Sequence, residues 1–205
     1  MRIYSPAGTP AQEFAQFGWV GDGVVTPNAG TVWTASAGAK LTPTTPVTLT
    51  WQNGAGQNFA IEFAIDQDYL ITAKQTVGKA GAGAIAVQPF GLINRTSLTA
   101  SVDTWNVHAG PIGAFDGSVL FGPDFDDLAE SGTVNEAGKA DWLGFTDIYW
   151  MSALAPVGAK AQGTFRSMGD SLFRADLMYD KSVVQPGTQL SRTTKLFAGG
   201  KEHLV

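Results

Sequence analysis

Hydrophobic and polar residues alternate most regularly between residues 47 and 94. Val47, Leu49 and Trp51 alternate with threonines, similar runs follow at 59–65 and 69–77, and residues 84–94 are interpreted as one further strand. Turn-forming segments at 52–57, 66–68 and 79–83 separate the runs, and the first contains the hairpin dipeptide Asn53-Gly54. The pattern predicts four strands in an antiparallel meander, with one buried face and one solvated face. Such a sheet needs a second layer to cover its apolar face.

The most aromatic stretch, residues 139–157, fits two different structures. Aliphatic residues are interleaved with its aromatic ones, which are Trp142, Phe145, Tyr149 and Trp150. Two strands broken near Thr146-Asp147 and one buried helix are both compatible with so short an apolar run. Its role is equally open, because aromatic side chains either fill a core or form the floor of a groove that accepts an apolar or sugar ligand.

Further alternating stretches predict strands at 31–34, 160–167, 170–179 and 188–198, with a turn at 185–187. No repeat of solenoid or propeller period is visible, and no change in composition marks a linker. We therefore predict an all-β, mainly antiparallel fold and a single domain over residues 1–205.

Composition excludes several classes of function. The chain has a formal net charge of −5, and its lysines and arginines are scattered, so no basic stripe favours nucleic acid. It contains no cysteine, which excludes disulfides, thiolate metal sites and cysteine nucleophiles. No apolar run reaches the roughly 18 residues typical of a membrane span, and the opening residues lack the apolar segment of a signal peptide.

The sequence offers few candidates for chemistry. Of the two histidines, we interpret His108 as a loop residue that hydrogen-bonds to backbone, and His203 lies near a chain end. The acidic cluster at 124–130 lacks the spacing of a calcium loop and is interpreted as a solvated face. No nucleophile elbow, zinc spacing or phosphate-binding loop is present. We therefore expect no catalytic residue, no metal and no cofactor.

Three runs together resemble a known family: HAGPIGAFDG (108–117), WLGFTDIYWMSALAP (142–156) and VVQPGTQLSRTTKLFAGGKE (183–202). They are similar to the large periplasmic domain of the YidC membrane protein insertases, in versions from alphaproteobacteria. The meander at 41–77 and the segments YSPAGTP (4–10) and FAQFGWV (14–20) resemble the same domain in family order.

This resemblance implies a twisted β-supersandwich similar to the galactose mutarotase fold, with few short helices. It also implies a position on the periplasmic face of the bacterial inner membrane, between the first two transmembrane helices of a multi-pass protein. The family domain is usually longer at its N-terminal side, so we expect some opening strands to be absent here.

The resemblance further implies a non-enzymatic role in the insertion and folding of inner-membrane proteins. The expected partners are the SecDF and SecYEG translocase components and nascent membrane proteins. Residues 183–205, nearest in sequence to the membrane part, are expected to couple to it. The residues singled out for this coupling are Phe197, Gly199, Gly200, Lys201 and Glu202.

Two alternative functions are kept. A carbohydrate- or peptide-binding module would use a cleft in the sandwich, with candidate ligand-binding residues Trp105, His108, Trp142, Tyr149 and Trp150. A mutarotase-like epimerase would need a convergent acid and base, for which His108, Glu62 and Glu130 are the available side chains, and it is the least favoured of the three.

Overall fold

A computed structural model of the chain describes residues 4–101 and 107–201, which form one large antiparallel sheet of fourteen strands. The strands of the first half are β1 (Glu13–Asp22), β2 (Val47–Gln52), β3 (Gln57–Ile65), β4 (Ile71–Lys79), β5 (Ile85–Thr96), β6 (Gly110–Phe115) and β7 (Ser118–Phe121). Those of the second half are β8 (Thr133–Asn135), β9 (Ala140–Thr146), β10 (Trp150–Val157), β11 (Ala161–Ser167), β12 (Leu172–Tyr179), β13 (Ser182–Val184) and β14 (Gln189–Gly200).

The strands pair in the order β1-β5-β12-β11-β9-β10-β14-β4-β3-β2, with β6, β7, β8 and β13 added at the sides. The sheet curls so that its first strands face its last ones. The Gln75 side chain in β4 donates a 2.7 Å hydrogen bond to the Gly18 carbonyl in β1. A methyl group at Gly91 in β5 would lie 3.3 Å from Leu154 in β10. These contacts join strands that are far apart in the strand order, so the curled sheet forms two facing layers.

Two apolar clusters fill the space between the layers. One lies where β9–β12 and β14 meet and includes Leu143, Phe145, Leu154, Phe165, Phe173, Leu177 and Leu196. The other lies between β1, β3, β4 and β5 and includes Trp19, Phe59, Val77 and Val87. The alternation read from the sequence supplies these residues, because every second side chain of a strand faces the same side.

In the described ranges, two short helices interrupt the strands, a 3₁₀ turn at Ser97–Thr99 and α1 (Phe125–Ser131). The Asp124 carboxylate caps α1 by accepting a 2.8 Å hydrogen bond from the Asp127 amide. Asp126 and Asp127 occupy the first turn, where the helix dipole favours negative charge. The acidic cluster at 124–130 therefore spans the N-cap and nearly all of α1, and its four acidic side chains are exposed.

Two strand predictions are wrong in detail. The strands β2, β3 and β4 form a meander as expected, but β5 pairs with β1, β12 and β13 and not with β4. Residues 91–96 of β5 are all buried, so this half of the strand needs neighbours on both edges and cover on both faces. The predicted strand at 31–34 is also absent, since only Thr34 bridges to Thr50 there.

The aromatic stretch at 139–157 forms two strands, β9 and β10, and not a helix. They pair directly, with Met151 opposite Thr146 and Leu154 opposite Leu143. The break between them falls at residues 147–149, as the sequence indicated. Leu143, Phe145 and Leu154 point into the core.

Candidate functional site

Five chain segments meet at one end of the sandwich, which we call the exit pole: residues 66–70, 97–101, 147–150, 168–171 and 199–201. Ser97 donates its amide to the Ser171 carbonyl at 2.9 Å. Ser101 donates its amide to the Asp147 carboxylate. Because Ile71 pairs with Leu196, the turn at 66–70 lies alongside the last residues of β14.

A buried ion pair lies beneath this end. Arg95, near the end of β5, and Asp147, just after β9, are in direct contact, and both side chains are less than 10% exposed, at 6% and 7%. Arg95 also donates a 3.3 Å hydrogen bond to the Thr146 carbonyl. The Glu13 carboxylate of β1 lies 3.9 Å away from the guanidinium. One arginine thus links β1, β5 and the β9–β10 turn.

The two carboxyl groups around Arg95 have opposite pKa shifts. Burial raises the pKa of Glu13, the attraction of Arg95 opposes this, and the nearby Asp147 charge adds to the rise. Burial would also raise the pKa of Asp147, but hydrogen bonds from Ser101 and Ile148, together with Arg95, lower it below its usual range. Asp147 is therefore the carboxylate that neutralises Arg95.

Both ends of the described chain are attached at this pole. The Tyr4 hydroxyl and the Ser152 hydroxyl form a 2.7 Å hydrogen bond, and burial raises the pKa of the Tyr4 phenol. The Lys201 amide donates a 2.8 Å hydrogen bond to the Tyr149 carbonyl, and its ammonium donates a 3.1 Å hydrogen bond to the Thr146 hydroxyl. Loss of solvent lowers the pKa of Lys201, and the Asp147 charge opposes that shift.

The predicted coupling residues lie at the end of β14. Gly200 pairs with Trp150, and a methyl group there would lie 3.5 Å from the indole ring. Phe197 and Gly199 lie on the opposite face of the strand from the core residue Leu196. The Phe197 ring extends over Gly199, where a methyl group would lie only 3.1 Å from it. Glu202 lies outside the described residues.

The predicted cleft residues are not gathered in one place. Tyr149 and Trp150 lie at the exit pole, whereas Trp142 pairs with Ala114 near the other end of β9. His108 packs edge-on against Phe121, and within residues 4–101 and 107–201 no aromatic pair joins Trp142, Tyr149 and Trp150. Trp105 and His203 lie outside the described residues.

Within residues 4–101 and 107–201, the candidate acid–base residues lie on three separate parts of the fold. The His108 ring forms a 2.7 Å hydrogen bond with the Pro111 carbonyl, as predicted for a loop histidine. Glu62 is an exposed residue of β3 opposite Lys74, and Glu130 is exposed on α1. Across the described ranges, no three His, Asp or Glu side chains are grouped closely enough to hold a metal ion.

A pocket of about 330 Å³ lies far from the exit pole, at the other ends of β4 and β14. Its lining consists mainly of small residues and backbone, from Asn58, Gly78, Lys79, Ala80, Gly187, Thr188 and Gln189. It contains one basic side chain and no carboxylate, so it offers nothing for epimerisation of a sugar.

Sequence reasoning missed the residues that hold the exit pole together, namely Glu13, Tyr4, Arg95, Asp147 and Ser152. The available signal was an arginine at the end of the apolar run 84–94, since a charge at the end of such a strand needs a partner when buried. That partner is 52 residues away in sequence, and no local pattern identifies it.

Comparison with known proteins identifies close relatives. A family model described as the YidC periplasmic domain matches residues 1–204. A membrane protein insertase YidC from Zymomonas mobilis is 38% identical over 206 residues, and one from a Ruegeria species is 39% identical over 220 residues. Each alignment covers 98% of this chain but only 35% of the relative, so the chain spans about a third of their length.

Solved structures confirm the predicted fold. A galactose mutarotase-like protein from Lactobacillus casei superposes with a TM-score of 0.60, covering 91% of this chain and 84% of that one. A galactose mutarotase related enzyme from Lactobacillus acidophilus superposes with a TM-score of 0.56, covering 84% of this chain and 74% of that one. Their sequence identities, 11% and 8%, establish a shared fold and nothing more. No helix in the described part of this chain is both long and apolar enough to span a bilayer.

Proposed function

The chain belongs to the YidC periplasmic domain family, and we propose on this premise that it is a non-catalytic domain that assists a membrane protein insertase. It acts on the periplasmic face of the inner membrane. There it promotes insertion and folding of inner-membrane proteins through contacts with translocase components or with the incoming substrate. The observation that carries this proposal is the match to curated insertases over 98% of the chain.

The proposed non-enzymatic role is supported by the surroundings of the candidate acid–base residues. The ring of His108 is engaged by a backbone carbonyl, and the exposed Glu62 faces Lys74 across a strand pair. A general acid and base must converge on one substrate atom, and neither residue has a partner placed to do so in the described structure. The mutarotase-like fold therefore contributes a scaffold to this proposal and not an activity.

The proposed contact surface is the outer end of β14. Phe197, Gly199 and Lys201 lie where the described chain leaves the sheet. The strand is paired with β10 as far as Gly200, but with β4 only as far as Leu196. Its last four residues are therefore held along one edge, by β10. SecDF, SecYEG and nascent membrane proteins are the proposed partners at this end.

Photo-crosslinking in cells tests the proposal. A photoreactive phenylalanine analogue replaces Phe197 in the full-length protein, and the control places the same analogue at Phe63 of the meander, also half-buried. We expect adducts with translocase components or newly made membrane proteins from position 197. Equal adducts from both positions, or none from 197, would contradict the proposed surface.

A further inference from the structure

The large exposed apolar side chains of the domain are concentrated at the exit pole. Five of them lie on its loops and are between 37% and 76% exposed: Tyr69, Leu98, Tyr149, Trp150 and Met168. Among the other exposed apolar residues in the described ranges, only Leu120 and Phe121 of β7 are larger than valine. Single exposed apolar residues are normal on a protein surface, but their concentration at one end marks an interaction site.

These side chains come from four separate connections and are held by the fold. The 3₁₀ turn that carries Leu98 is hydrogen-bonded to the hairpin after Met168 through Ser97 and Ser171. The turn that carries Tyr149 is bonded to Lys201. Tyr69 has a left-handed backbone, with φ of 63°, that turns its side chain out at the tip of the β3–β4 hairpin.

The composition of the pole fits the boundary between lipid headgroups and acyl chains. Tyrosine and tryptophan carry an apolar body with a polar tip and are enriched at membrane interfaces. Leu98 and Met168 add purely apolar surface. The Lys201 ammonium is held against the Thr146 hydroxyl, and the exposed carboxylates of Asp66, Asp68 and Asp170 lie in the same loops. The net charge of −5 argues against general attraction to an anionic surface, so the contact must depend on apolar burial.

The attachment of the chain points to the same occupant. Tyr4 and Lys201 are both bonded to the segment 149–152, so the described chain enters and leaves at this pole. The curated relatives are membrane protein insertases of which this chain covers 35%. Membrane-spanning parts of such a protein would therefore join the domain at the end that carries the exposed apolar tips.

We propose that the exit pole docks onto a lipid bilayer, with Leu98, Tyr149, Trp150 and Met168 entering the interfacial layer. This inference rests on the proposed function, because the domain must work beside a membrane for the contact to form. The contact would fix the height and tilt of the sandwich, so that the end of β14 meets the membrane part in one orientation.

Single-cysteine labelling tests this docking cleanly, since the chain contains no cysteine of its own. Leu98→Cys, Tyr149→Cys and Met168→Cys each carry an environment-sensitive fluorophore. The matched control is Val183→Cys, which is 62% exposed on β13, where that strand pairs with the far end of β5. A C-terminal oligohistidine segment holds every variant on phosphatidylethanolamine and phosphatidylglycerol vesicles that contain a nickel-chelating lipid.

The readouts are quenching by aqueous iodide and quenching by lipids with nitroxide-labelled acyl chains. We expect the three pole labels to lose most of their iodide quenching and to gain quenching by the labelled acyl chains. For the label at position 183, we expect neither kind of quenching to change. Pole labels that stay accessible to iodide on tethered protein would overturn the proposal, as would an equal response at position 183. Protection of the pole labels by added translocase proteins, without any response to vesicles, would assign the surface to a protein partner and also overturn it.

This experiment fails independently of the proposed function. Labels that remain in water while position 197 still crosslinks to translocase components would remove the lipid contact and leave the accessory role intact. Labels that enter the bilayer, with no partner adduct from position 197, would support the lipid contact and remove the proposed partner surface.

Discussion

The amide of Lys201 donates a 2.8 Å hydrogen bond to the carbonyl of Tyr149. This bond extends the β10–β14 ladder one step beyond the Trp150–Gly200 pair. The point where the described chain leaves the sheet is therefore fixed against the turn that exposes Tyr149.

The first prediction concerns the buried ion pair. Asp147→Asn should lower the free energy of unfolding by about 3–5 kcal/mol, because it removes the contacting counter-charge of the buried Arg95 and leaves only Glu13, 3.9 Å away. Chemical denaturation of the purified domain measures this loss. The control is the double variant Arg95→Leu with Asp147→Leu, which removes both charges and should cost much less. If Asp147→Asn is as stable as the parent, the ion pair of Arg95 and Asp147 is solvated.

The second prediction concerns Glu13 and pH. Its pKa is raised in the folded state above an ordinary value of 4.5, so the fold retains a proton that the unfolded chain has lost. Stability should therefore fall as pH rises from 4.5 through the raised pKa. Glu13→Gln should abolish this fall and be no less stable than the parent at neutral pH.

Denaturation curves across that pH range measure the effect, with the exposed Glu62→Gln variant as a control for the same chemical change. The contribution of Asp147 has the opposite sign, since its lowered pKa gives stability that is lost only below 3.8. If the unfolding free energy of Glu13→Gln still falls with pH above 4.5 as steeply as that of the parent, other groups cause the fall.

The third prediction concerns the glycines of the β9–β10–β14 region. A Cβ at Gly144 would overlap the Ser152 carbonyl oxygen, so Gly144→Ala must push β9 and β10 apart. We expect a loss of about 3 kcal/mol or more. Gly200→Ala is the matched control, because its methyl group would make an ordinary 3.5 Å contact with Trp150 and should change stability by less than about 0.5 kcal/mol. Equal melting temperatures for the two variants would contradict this packing.

Local patterns predicted the strands of this fold well, and long-range pairing only in part. The period-two alternation around Val47, Phe59 and Ile71 correctly gave β2, β3 and β4, because it reports burial on one face. It could not place β5, whose buried residues 91–96 lack alternation and whose partners lie up to 99 positions away, where Val184 pairs with Ile85. The need for a second layer followed from the apolar face of the meander, whereas the twisted supersandwich architecture came from the family resemblance.

The candidate site was harder to predict than the fold. Tyr149, Trp150, Gly200 and Lys201 were all singled out from the sequence, but in two unrelated groups, and the structure brings them together across one strand pair. The ion pair beneath them was missed, since Arg95 and Asp147 meet only after the sheet has curled. Local sequence identifies exposed aromatic residues, whereas their assembly into one pole depends on topology.

The most direct test of the central claim, that this domain assists insertion through the end of β14, is the fraction of a reporter inner-membrane protein inserted in cells. The cells depend on a full-length insertase that carries either Lys201→Gln or Lys74→Gln in this domain. Both changes remove one positive charge from an exposed residue, but only Lys201 binds the β9 end at the exit pole. We predict reduced insertion with Lys201→Gln and normal insertion with Lys74→Gln, at equal protein levels. Normal insertion with both variants, or an equal loss with both, would contradict the claim.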